Sequence, residues 1–181
     1  CVINISAGTY GGSHDGLDLD ALRIDSLMKA KTGRALVCAA GNAGSHAAFH
    51  LGYDLSADTS FTWFEFNSSI VIPGYAPSGC VYFELYADTA DFDSALFSFG
   101  ADLIGTPYQN RGTMQYLSMP GFYDGSYSTF IDGNGIFVDS ITNSLGQKIA
   151  DVAIGYYKVN DDETYVMQVI INPDSLHTDY E

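Results

Sequence analysis

Asn42 is the residue whose chemistry is easiest to name. It sits in Ala39-Ala40-Gly41-Asn42-Ala43-Gly44, directly after a short apolar run. A side-chain amide held at the carboxyl end of a parallel strand can donate to an oxyanion that develops in a transition state. The same Gly-Asn-x-Gly is also what an ordinary turn contains. Spacing alone does not separate these readings.

Other candidates are weaker. His14 and Asp15 adjoin, but consecutive loop residues do not form a base and its orienter. His14 therefore reads as a loop residue, and His46 and His50 as surface or structural histidines. Gly112-Thr113-Met114 carries no nucleophile. Asp132-Gly133-Asn134-Gly135 lacks the further acids of a calcium loop and reads as a β-turn. Asp161-Asp162-Glu163 reads as a solvated hairpin tip, although two of its carboxylates are compatible with a calcium site. Cys1, Cys38 and Cys80 have neither a disulfide nor a zinc spacing. Cys38, in an apolar run, reads as a small core residue. Tyr123, Tyr127, Tyr156 and Tyr157 suggest either a sugar platform or core and cross-strand aromatic pairs.

The elements that must position Asn42 are legible. Val2 to Ala7 is a short β-branched run ended by Gly8. Leu17, Ala21, Ile24 and Met28 recur on one face of a helix over Leu17 to Lys31. Asp18 and Asp20 stand in its first turn, Lys29 and Lys31 in its last, as the helix dipole favours. Thr32-Gly33 stops it. Ala35 to Ala40 is a second short strand. The order predicts one β-α-β unit with parallel strands. Such a unit cannot bury both faces of its strands alone. Because the sequence opens inside an apolar run, residues 1–50 read as part of a larger sheet.

These motifs, in this order, resemble the middle of a subtilisin-like serine peptidase (subtilase) domain. The residues that carry the resemblance are Val2-Ile3-Asn4-Ile5-Ser6-Ala7-Gly8, His14-Asp15-Gly16 and Leu36-Val37-Cys38-Ala39-Ala40-Gly41-Asn42-Ala43-Gly44. The resemblance covers residues 1–50. It implies that Asn42 is the oxyanion-hole residue. Ser6, Ala7 and Gly8 would pair with the substrate backbone, and Ala39, Ala40 and Gly41 would wall the pocket before the scissile bond. It also implies a peptide or protein substrate and a secreted or cell-envelope bacterial location. The family's Asp, His and Gly-Thr-Ser motifs do not occur in this sequence, so the chain alone is expected to be inactive. Its partners would be the remainder of the peptidase or another copy of this chain. No cofactor is expected; a structural calcium is compatible with the family but no residue set places it.

Composition changes after residue 50. Residues 1–50 hold four bases and four acids; residues 51–181 hold three bases and eighteen acids, a net charge of -15. Only Tyr10 and Phe49 are aromatic before residue 51. Nucleic acid and anionic membrane are poor partners for so acidic a chain. No apolar run reaches the ~18 residues of a membrane span. The hydrophobic content of 46% and charged content of 16% exclude a disordered chain and a coiled coil.

The second part alternates with period two. Val81, Phe83, Leu85 and Ala87 fall on one face of a strand, and Cys80, Tyr82, Glu84, Tyr86 and Asp88 on the other. Further strands are expected over 61–67, 70–73, 95–99, 113–117, 135–142, 150–157 and 164–171, with no helix. The fold expectation is mainly β: an antiparallel β-sandwich, jelly-roll-like, at 51–181, preceded by a β-α-β fragment at 1–50. Its place after Asn42, and the run from Phe92 to Asp102, look like the β-rich insertion of some larger secreted subtilases. Two function classes follow: a segment of a serine endopeptidase with an inserted accessory domain, or a stand-alone module binding carbohydrate or protein.

Overall fold

The computed structural model describes residues 1–8, 11–41, 51–52, 59–63, 80–103, 109–159 and 163–174. The chain divides into two compact units, Cys1–Ser60 and Phe61–Glu181.

The first unit is the β-α-β expected. Strand β1 (Val2–Ile5) pairs in parallel with β2 (Ala35–Cys38), with Val2 opposite Ala35 and Ile5 opposite Cys38. Helix α1 (Leu19–Lys29) joins them. Asp18 is its N-cap rather than a first-turn residue, and accepts the Ala21 amide at 2.8 Å. That satisfies one of the amides a helix start leaves open. Lys29 bonds Asp25 one turn back at 2.6 Å. Nothing in α1 is buried. Val2 is 70% exposed; of the helix stripe, Leu17 and Ile24 are exposed and Ala21 and Met28 half-buried, so the stripe is only partly covered. Cys38 is exposed too, which corrects its assignment to a core. All three cysteines are free thiols.

The second unit is a curled six-stranded antiparallel sheet, and the chain is mainly β with a sandwich-like form. Its elements are β3 (Val81–Asp88), α2 (Thr89–Phe92), β4 (Gly100–Leu103), β5 (Gln109–Thr113), α3 (Met119–Tyr123), β6 (Phe137–Thr142), β7 (Lys148–Val159) and β8 (Thr164–Pro173). The strand order is β3-β8-β7-β6-β5-β4. One row of side chains crosses four strands on the inner face: Phe83, Val169, Ile154 and Phe137. The last three are fully buried.

The two short helices correct the expectation that residues after 50 hold none. Ser118 caps α3 by accepting the Gly121 amide at 3.3 Å, and its own amide donates to the Tyr127 hydroxyl at 3.0 Å. Helix α3 thereby delivers Phe122 to the core, where it stacks on Tyr156 at 4.5 Å and meets the edge of Phe137 at 5.4 Å. Packing, not propensity, holds a five-residue helix containing Pro120 and Gly121. Three expected strands also differ. Residues 95–99 contribute only an isolated bridge, Phe97 to Leu117, and β5 ends at Thr113 where a strand was expected to begin. Phe61 to Trp63 is not a strand, and residues 64–79 lie outside those described. Among the described residues no helix is long and apolar enough to cross a membrane.

Gly112 has a structural reason. A Cβ there would stand 2.5 Å from the Thr142 carbonyl oxygen and 2.8 Å from Ile149 Cδ1. Gly112→Ala is expected to destabilise the fold by about 1–3 kcal/mol in denaturant unfolding, because backbone must move. Gly133→Ala, at a position with nothing within 4 Å, should change it by less than about 0.5 kcal/mol.

Candidate functional site

The parallel register brings the expected substrate-binding residues to one sheet edge. Ile5 lies opposite Cys38, and the Ala39 amide donates to the Ile5 carbonyl at 3.0 Å. Ser6-Ala7-Gly8 and Ala39-Ala40-Gly41 therefore leave the sheet side by side, beyond the carboxyl ends of β1 and β2. All six are exposed. Gly41, the last described residue of this segment, has φ +84°, the left-handed region that glycine tolerates best. Asn42, His46 and His50 lie outside the described residues.

The loop before α1 is organised by Asp15. Its carboxylate accepts from Ser13 Oγ at 2.5 Å and from the Leu17 amide at 2.8 Å. Those bonds, the Ser13 hydroxyl first, hold its carboxyl below the usual range, with a smaller contribution from His14. His14 itself takes a positive φ of 57°. The geometry gives Asp15 the role of a turn former.

The tyrosines divide by strand alternation. Tyr156 stacks on Phe122 on the inner face. Tyr127 meets Phe122 and Phe137 edge-on in the same cluster. Tyr157, the next residue along β7, faces outward. The four tyrosines therefore do not form one platform. The outer face has its own polar centre instead. Glu84 accepts from the hydroxyls of Tyr82 at 2.5 Å and Tyr86 at 2.6 Å, and from Gln168 Nε2 at 2.9 Å. Burial, and then the charge of Glu84, push the Tyr157 phenol above its ordinary value.

A cleft that the sequence did not reveal opens beside β4. Trp63 Nε1 donates to Asp102 Oδ2 at 2.9 Å, across 39 residues. Phe61 meets the Trp63 ring edge-on at 4.8 Å. With Ser98 and Asn110 they line an open space of about 300 Å³. A neighbouring cavity of about 160 Å³ shares Trp63, Ser98 and Asp102 with it and is also lined by Val81, Phe83 and Ile171. Phe61 is 67% exposed and Trp63 51%. The one available signal was the chain's single tryptophan standing two residues from a phenylalanine.

Among the described residues no three His, Cys, Asp or Glu side chains gather as a metal site. Asp132 caps its own turn, its Oδ1 accepting the Asn134 and Ile136 amides at 2.8 and 2.9 Å. Asp161 and Asp162 lie outside the described residues. Comparison with family models, with curated proteins and with solved structures finds no match for this chain.

The outer-face cluster makes a pH prediction. The folded pKa of Tyr157 lies above its unfolded value of 10.0. The neutral phenol thus supports the fold below that value, and the support is lost as pH rises through the folded pKa. Glu84→Gln should lower the Tyr157 pKa in an NMR titration without restoring the ordinary value, because burial is the larger cause.

Proposed function

We propose that residues 1–50 belong to a subtilisin-like serine peptidase domain and that the β-rich remainder is an accessory unit inserted in it. The parent protein is then a serine endopeptidase. The observation that carries this reading is the parallel pairing of β1 with β2, which sets Ser6 beside Ala39 at one sheet edge, three residues before Asn42. An extended peptide adds to the Ser6–Gly8 backbone as a further strand. Ala39, Ala40 and Gly41, being small, leave room for a bulky side chain next to the scissile bond. The Asn42 amide donates to the oxyanion as it forms. Nucleophile, base and its carboxylate come from elsewhere in the parent, whose strands and helices also cover the open faces of β1, β2 and α1. A secreted or cell-envelope location belongs to the same reading.

A second reading makes the β-rich unit a binding module for carbohydrate or protein. The half-exposed Trp63 and Phe61 beside a cleft favour it.

In the complete parent protein, Asn42→Ala should lower kcat by about 10²–10³ with KM nearly unchanged, a magnitude that comes from subtilisin itself. An unaltered kcat removes Asn42 from the oxyanion hole. The chain alone should neither hydrolyse peptides nor react with a serine-directed phosphonate. Stoichiometric labelling of the purified chain would contradict this.

A further inference from the structure

We propose that the cleft beside Phe61 and Trp63 recognises a cationic side chain, the Lys or Arg of a peptide. This rests on the reading of the β-rich unit as a binding module and is independent of the peptidase reading.

Three observations carry it. The first is the aromatic wall. Trp63 is held at its indole nitrogen by Asp102 and at its ring by Phe61, yet half of it stays exposed. Tryptophan is the strongest cation–π partner, and a ring already fixed loses little freedom on binding. The same unit uses this interaction elsewhere: Lys158 Nζ lies 5.1 Å from the Tyr123 ring centroid and 5.3 Å from that of Tyr165.

The second is the polarity of the lining. The Trp63 N–H is committed to Asp102, and the Ser98 hydroxyl donates to the Met114 carbonyl at 2.9 Å. Asp102 brings a carboxylate, an acceptor only. Thr62 and Asn110 in the same lining can both donate and accept, so the Asp102 carboxylate is the group that favours a charged donor over a neutral one. The apolar lining of the neighbouring cavity, at Val81, Phe83 and Ile171, suits the aliphatic stem of Lys or Arg.

The third is charge. Residues 61–181 hold three bases against sixteen acids. Lys148 is paired with Asp151 at 2.9 Å, Lys158 sits over its two tyrosines, and the third base, Arg111, follows the lining residue Asn110 on β5. No base is among the described residues lining the cleft. The field of the unit draws a cation toward Asp102 and disfavours an anion.

Trp63 is the chain's single tryptophan, so its fluorescence reports the cleft. The probes are capped Gly-Arg-Gly and Gly-Lys-Gly peptides, the citrulline analogue of the first, and a neutral glucose hexasaccharide. Saturable changes with the Arg and Lys peptides, and none with citrulline or the sugar, are expected. Asp102→Asn keeps an acceptor for the indole N–H and should weaken the Arg peptide about tenfold or more. Equal responses to Arg and citrulline overturn the proposal, as does undiminished affinity in a folded Asp102→Asn variant. A response to the sugar alone overturns the ligand class and leaves the binding-module reading standing. Should Asp102→Asn lose its β-type circular dichroism, Trp63→Leu read by calorimetry replaces it, and unchanged affinity there overturns the proposal.

Discussion

The β-rich unit depends on one-sided burial. A strand offers alternate residues to its two faces, so a sheet has one interior only if every strand keeps the same phase. The row Phe83, Val169, Ile154 and Phe137 expresses that phase across four strands. Phe122, Phe92 and Leu117 close over the inner face from short helices and a bridge. A slip of one residue in any of these strands would exchange the buried row for the one beside it. That neighbouring row includes Glu84, Gln168 and Gly155, none of which can fill an apolar core. Register and core are thus one constraint, and the outer-face hydrogen bonds of Glu84 follow from it.

The first unit obeys the opposite condition. Its strands are parallel and β-branched, the kind that ordinarily lies between two layers of helix. Here both strands and the helix remain open, with Val2, Ile3 and Val37 exposed. The unit still orders its carboxyl edge, because the register of a parallel pair needs only the ladder hydrogen bonds. Positioning and burial are separable in it. That is why Ser6 and Ala39 stand together even though none of the described residues of β1, α1 and β2 is buried.

What was legible in the sequence were the elements with a strong period. Helix α1 showed through Leu17, Ala21, Ile24 and Met28; β3 through Val81, Phe83, Leu85 and Ala87; β6 to β8 through long β-branched runs between Asn, Asp and Gly turns. The missed elements lack a period of their own. Strand β4 reads Gly-Ala-Asp-Leu and β5 reads Gln-Asn-Arg-Gly-Thr, poor strand formers that pair because β6 gives β5 an edge. Helices α2 and α3 are shorter than any reliable amphipathic signal, and their buried phenylalanines decide them. The Trp63 cleft was invisible because its anchor, Asp102, is distant in sequence. Cys38 is exposed because an apolar neighbourhood in sequence need not be an apolar neighbourhood in space.

Strands β7 and β8 run twelve and ten residues and match through ten consecutive pairs, from Val159–Thr164 to Ala150–Pro173. Only four residues join them, so the loop that must close is very short. Strand β3 is different: Glu84 meets Gln168 across 84 positions of chain. The entropy of closing so large a loop has to be met before any of its contacts form, which favours a nucleus in the β7–β8 hairpin with β3 arriving late. The long hairpin is therefore both the middle of the sheet and a template, on which an edge strand made early in the chain must wait for the last strand before it has anything to join.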